Sequence, residues 1–136
     1  MGRKFVILLD TCAVIWDALE RQSLSVKAVK AIDDADKFGA LIMSDITIWE
    51  IAMLANKGRL KIDSTTSHFI NLYMQTRNVS VVQISPEIAE LSVNFDATIN
   101  KDPADRIISA TSVIHNAQLV TADQNLISSD SVNTLW

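Results

Sequence analysis

The chain's first clear pattern is an unbroken apolar run, Phe5-Val6-Ile7-Leu8-Leu9, ended by Asp10-Thr11. A run of that length suits a strand buried on both faces, as in the centre of an α/β sheet. Helical periodicity follows. Helices are predicted over about 12–20 and 25–36, the second turning Val26, Val29, Ala31 and Ile32 to the core. Residues 40–43 read as a short buried strand. Ser44 or Asp45 can then cap a helix reaching about Lys57, where Gly58 stops it. A helix over 65–76 leads to a strand over 79–83. Ser85-Pro86-Glu87 starts another helix, with proline in its first turn, carrying Ile88, Ala89, Leu91 and Val93. Asp102-Pro103 opens the next, with Ile107, Ile108, Ala110, Thr111 and Ile114 as its inner face. Residues 118–121 form a fourth strand and 132–135 a weak fifth. Strands alternating with helices predict a parallel sheet layered between helices, with its active site at the carboxyl ends of the strands.

Composition narrows this picture. The 136 residues suit one domain, 1–136, able to bury about 70% of its unfolded surface. Scarce glycine and proline imply short loops. Cys12 is the only cysteine, so no intrachain disulfide can form, as befits a reducing compartment. After Met1-Gly2-Arg3-Lys4, the apolar run is too short for a signal-peptide core or a membrane span. A soluble, cytoplasmic protein with no membrane association is expected. The net charge of −4 argues against broad coating of DNA. It becomes +1 once five acids with a candidate role are set aside: Asp10, Glu50, Asp102, Asp105 and Asp123.

Each of these acids has a structural reading beside the functional one. Asp10 ends the most apolar strand and can simply cap the following helix. Glu50 is harder to dismiss. From Ile46 to Ala55 only Thr47 and Glu50 are not apolar, so the helix should be buried and carry Glu50 inward. A buried carboxylate needs a cation, an ion pair or a proton. Asp102 and Asp105 make a respectable helix start, and Asp123 is a turn or cap residue after the fourth strand. Together, Asp10, Glu50, Asp105 and Asp123 fall where one crevice at the sheet edge can collect them. Oxygen-only ligation favours Mg2+ or Mn2+, as one ion or two, over zinc. Such a centre suits hydrolysis of a phosphodiester.

Other residues add less. Lys57, Arg59 and Lys61 around Gly58 are candidate RNA contacts, although a solvated turn is the more ordinary explanation. Arg106 either pairs with a neighbouring acid or contacts phosphate. His68 and His115 are isolated, Ser44 and Ser109 lack a nearby base, and Trp16 and Trp49 suit core or subunit contacts. A phosphoacceptor signalling domain also places an aspartate at a strand end. It leaves the helix acids without a role and needs a strand-end lysine that is not found.

Leu8-Leu9-Asp10-Thr11, Ile48-Trp49-Glu50-Ile51-Ala52, Gly58-Arg59-Leu60, Asp102-Pro103-Ala104-Asp105-Arg106-Ile107-Ile108, Ala110-Thr111 and Leu119-Val120-Thr121-Ala122-Asp123 occur in this order along nearly the whole chain. This ordered set resembles the PIN-domain family, and more narrowly the VapC-like toxins of type II toxin–antitoxin systems. The resemblance implies a three-layer α/β/α sandwich around a five-stranded parallel sheet. It also implies a metal-dependent endoribonuclease. Asp10, Glu50, Asp105 and Asp123 match the family's catalytic, metal-holding acids. Thr11 and Thr121 match hydroxyls that support the acids or bound water, and Asp102 fits a less universal supporting position. Cys12 stands where a histidine is common. The resemblance further implies a homodimer silenced by an antitoxin whose tail enters the groove. The alternative is a PIN-like binding module that has lost catalysis.

Overall fold

Seven side chains set the helix starts. Asp10, Ser25, Ser44, Thr65, Ser85, Asp102 and Asp123 each accept a hydrogen bond from a main-chain N–H of the turn that follows. Each satisfies a donor that the first helical turn leaves unpaired. The computed structural model describes residues 5–136, so Met1-Gly2-Arg3-Lys4, which entered the signal-peptide reading, lie outside the described residues. The elements are β1 Ile7–Leu9, α1 Thr11–Leu19, a 3-10 turn Arg21–Ser23, α2 Val26–Lys37, β2 Leu41–Ser44, α3 Asp45–Asn56, α4 Thr66–Thr76, β3 Val79–Val82, α5 Pro86–Asn94, α6 Pro103–Ile114, β4 Gln118–Val120, α7 Gln124–Ile127 and β5 Thr134–Leu135.

The five strands form one parallel sheet in the order β3-β2-β1-β4-β5, with Leu8 of β1 level with Ile42 and Leu119. The strand period of two sorts their side chains into two cores. Ile7, Leu9, Leu41, Met43 and Val120 join Val14, Ile32, Ile51, Ile70 and Tyr73 on one face. Leu8 and Leu119 join Ile99, Ile108, Leu126 and Val132 on the other. Helices cover both faces, which is the expected α/β/α sandwich. Gly58 ends α3 at φ +72, and the hydrogen bonds Arg59 N to Leu54 O and Gly58 N to Ala55 O close its last turn. Among the described residues no helix is long and apolar enough to cross a membrane.

Helix α3, expected to be buried, buries only Thr47 and Ile51 and leaves Trp49 and Ala52 exposed, and three further apolar positions differ from expectation. Val26 is 88% exposed because it opens the first turn of α2, whose buried line is Ala28, Ile32 and Ala35. Ile114, the last residue of α6, is 45% exposed and lies beyond the buried positions from Ile108 to Ser112. On α5 the inward positions are Ile88 and Ser92, which leaves Val93 exposed.

Candidate active site

From β1 the chain moves to β2 and β3 on one side, then returns to β4 and β5 on the other. The order therefore reverses between β1 and β4, where a crevice opens beyond the carboxyl ends of the strands. Asp10 follows β1 directly, and Thr121 and Asp123 follow β4. Glu50 comes from α3, and Asp102 and Asp105 come from the start of α6.

Each acid is held by a specific partner. Asp10 caps α1 by accepting from Ala13 N at 2.7 Å through Oδ1, and its Oδ2 accepts from Thr121 Oγ1 at 2.6 Å. The cap reading and the site reading of Asp10 thus apply to different oxygens of one carboxylate. Thr121 Oγ1 also accepts from Asp123 N at 3.1 Å, tying the two acids to one buried hydroxyl. Asp123 caps α7 through Oδ1, to Asn125 N and Leu126 N. Glu50 Oε1 accepts from Thr11 Oγ1, joining α3 to α1. Asp105 Oδ2 accepts from Asn100 Nδ2 at 3.0 Å, and the exposed Asp102 caps α6 by accepting from Asp105 N.

These acids feel one another. Burial pushes the Asp10 carboxyl up to about 6 against its hydrogen bonds from Thr121 and Ala13, and repulsion from Asp123 and Glu50 adds to the rise. Asp105 is pushed up to about 6 by burial, with Asp102, Asp123 and Glu50 repelling it against the Asn100 bond. Glu50 is raised by burial and by Asp102, against the Thr11 bond. Cys12 lies in the field of Asp10, Glu50, Asp105 and Asp123 together. Desolvation, then those four charges, push its thiol up to about 11, so it stays protonated at neutral pH.

No compensating cation is built in among the described residues. Among the described residues every ion pair lies on Asp17, Asp33, Asp34 or Asp36, and none reaches Asp10, Glu50, Asp102, Asp105 or Asp123. The lysine or arginine partner considered for Glu50 is not found among the described residues. Nor do the acids form a ready three-ligand cage among the described residues. Each leans on its own hydroxyl, amide or main-chain N–H instead. An all-oxygen set of mutually repelling, half-buried acids suits a hard divalent cation, which takes one or two carboxylates directly and reaches the rest through water.

Arg106 corrects an expectation. Its five N–H donors go to main-chain carbonyls: Nε to Asn100, Nη1 to Ser92 and Phe95, Nη2 to Asp96 and Ile99. No donor remains for a phosphate or for an acid. Arg106 instead anchors the connection between α5 and α6, including the Asn100 that holds Asp105. Arg106→Met is expected to cost about 2 kcal/mol, since hydrogen bonds to a charged group carry roughly 1.5–3 kcal/mol each and overlap here. Amide hydrogen exchange over 95–101 should accelerate; unchanged exchange there contradicts the anchor role.

Lys57, Arg59 and Lys61 are all exposed, just past the end of α3, with no acidic partner among the described residues. His68 and His115 are exposed, and the buried Ser109 has no hydrogen-bond partner, so no base sits beside it. Trp16 packs partly buried on Trp136, whereas Trp49 is 59% exposed beside Glu50 and belongs to neither core. Two residues with contacts in the crevice escaped the sequence reading. Asn100 leaves no trace in the pattern. Thr47 does, as the other polar position on the apolar helix α3, and its hydroxyl meets Thr11 at 3.1 Å.

The sequence matches the PIN domain family over residues 7–130. It is 34% identical over 120 residues to Ribonuclease VapC22 of Mycobacterium tuberculosis, covering 88% of each chain. A chain in the crystal structure of VapBC2 from Rickettsia felis, bound to a DNA fragment from their promoter, superposes with TM-score 0.73 at 12% identity, covering 96% of this chain and 98% of that one. A chain of a toxin–antitoxin complex from Klebsiella pneumoniae gives TM-score 0.62 at 23% identity, covering 93% and 94%. The ordered acidic motifs, the strand order and these matches agree, and the chain belongs to the PIN domain family.

Proposed function

We propose that this chain is a metal-dependent endoribonuclease and the toxin half of a toxin–antitoxin pair. It acts in the cytoplasm as a homodimer that its antitoxin silences. One feature carries the catalytic reading: Asp10, Glu50, Asp105 and Asp123 come from four separate stretches of chain and repel one another, with no lysine or arginine paired to them among the described residues. The ribonuclease relative supports the activity, and the neighbour solved in a toxin–antitoxin complex supports the partner.

Asp10, Glu50, Asp105 and Asp123 would hold one or two Mg2+ or Mn2+ ions. When bound, such a cation supplies charge neutralisation at the phosphate and a water acidic enough to attack it. The chain's own task is to aim the acids. Thr121 fixes Asp10, Thr11 fixes Glu50, Asn100 fixes Asp105, and the first turn of α7 fixes Asp123. Purified protein is expected to cut RNA with Mg2+ or Mn2+ and to stop in EDTA. A protein that binds RNA with no cleavage under any divalent ion supports the non-catalytic module instead.

Lys57, at the end of α3 and about 10 Å along its axis from Glu50 at 1.5 Å of rise per residue, would grip the RNA backbone together with Arg59 and Lys61 of the turn that follows. Changing all three to glutamine is expected to weaken RNA binding and to flatten the plot of log K against log salt by about 2, with kcat nearly unchanged. An unaltered salt slope removes these three residues from the interface.

A further inference from the structure

Thr47 and Glu50 are the two polar positions in the apolar stretch of α3, and a spacing of three places them on the same side of the helix. Thr47 is fully buried. Thr47 sits in the first turn of α3, where no carbonyl of the helix lies four residues back. Its hydroxyl meets Thr11 Oγ1, on a different helix, at 3.1 Å.

Proton counting gives this contact a direction. A hydroxyl has one proton, and an ionised carboxylate only accepts. Thr11 donates its proton to Glu50 Oε1. Thr11 therefore meets Thr47 as acceptor, and Thr47 is the donor. We propose that Thr47 is a positioning residue for the catalytic site, the first link of a one-way hydrogen-bond chain from Thr47 to Thr11 to Glu50. By donating to Thr11, Thr47 commits the Thr11 proton to Glu50 and holds that carboxylate in the crevice. Successive hydrogen bonds polarise one another, so the outer link strengthens the inner one. The inference rests on the nuclease reading for its consequence, but the chain itself can be tested without metal.

The test is a double-mutant cycle in metal-free protein, using Thr47→Val, which preserves shape, with Glu50→Ala. Thr47→Val is expected to lower Tm by about 3 °C more when Glu50 is present than when it is alanine. Equal drops in both backgrounds overturn the chain. With Mn2+, Thr47→Val is expected to weaken metal binding, read by electron paramagnetic resonance, and kcat on RNA, each about 10-fold. KM for RNA should hold within about twofold, and Thr47→Ser should restore both losses. Wild-type Mn2+ affinity in Thr47→Val, or no rescue by serine, overturns the role. If the wild-type chain neither binds Mn2+ nor cuts RNA, the nuclease reading falls, and the metal-free cycle still decides the chain.

Discussion

Asp105→Asn is expected to abolish metal-dependent RNA cleavage, by at least about 1,000-fold, while making the metal-free protein more stable. The two effects share one cause. Asp105 is half-buried among Asp102, Asp123 and Glu50, and its raised carboxyl value records the cost of keeping it charged there. Asparagine keeps an oxygen for Asn100 and removes the charge. Without that charge the crevice loses a metal-holding oxygen, and a loss of about 4 kcal/mol in the transition state is a factor of about 1,000. The sign of the stability effect follows from the direction of the shift. A carboxyl raised from 3.8 to about 6 on folding carries no penalty below about pH 4, and the full penalty above about pH 6. In EDTA at pH 7.5, as a working condition chosen about 1.5 pH units above that value, the variant should melt about 5 °C higher than wild type. The gain should vanish near pH 4. Lower stability at neutral pH, or retained cleavage, contradicts the role given to Asp105.

Arg77→Met is expected to destabilise the fold by about 3–5 kcal/mol with no change in the residues around the crevice. The Asp17 side chain is fully buried, and Arg77 grips it twice, Nε to Oδ2 and Nη2 to Oδ1, both at 2.8 Å. Arg77 also reaches Asp33 and Asp36, and Tyr73 donates to Asp17 at 2.8 Å, so one guanidinium joins α1, α2 and the end of α4. With Arg77 gone, Asp17 keeps only Tyr73 and the half-exposed Arg21. Burial pushes the Asp17 carboxyl up, but the bonds from Arg77 and Tyr73 and the charges of Arg77 and Arg21 outweigh it, and the group ends below its ordinary 3.8. A depressed carboxyl contributes stability above its unfolded value, and that contribution is lost as the pH falls through the folded value. Wild-type stability from this pair should therefore fade below about pH 4, opposite in sign to Asp105. Urea unfolding of both proteins at pH 7 and pH 3 measures it. A cost for Arg77→Met that does not shrink at pH 3 contradicts the ion-pair account.

Glu50, Asp10 and Asp17 show what the chain's pattern reveals and what it hides. Glu50 stood out because it interrupts an apolar helix, and Asp10 because it ends the most apolar strand. Both signals are local, and the rule that sites form at the carboxyl ends of parallel strands joins them. Asp17, the only charged residue of the apolar helix α1, carries the same local signal, but its partner lies 60 residues away, a pairing that no local spacing encodes. Arg106 misled for a related reason. An arginine beside a candidate acid looks like a phosphate ligand, whereas the carbonyls it serves belong to backbone and leave no mark in the sequence. Strand alternation predicted a parallel sheet. The order β3-β2-β1-β4-β5 and the reversal between β1 and β4 came from the structure. Val26 and Ile114 failed at helix ends, where periodicity persists but packing stops.

Titrating the purified chain with Mn2+ and counting bound ions by electron paramagnetic resonance decides whether the crevice acids hold a cation. Saturable binding of one or two ions is expected, lost in Asp10→Asn and in Glu50→Gln while both variants remain folded. No saturable binding, or binding that both variants retain unchanged, contradicts the metal-holding role of these acids.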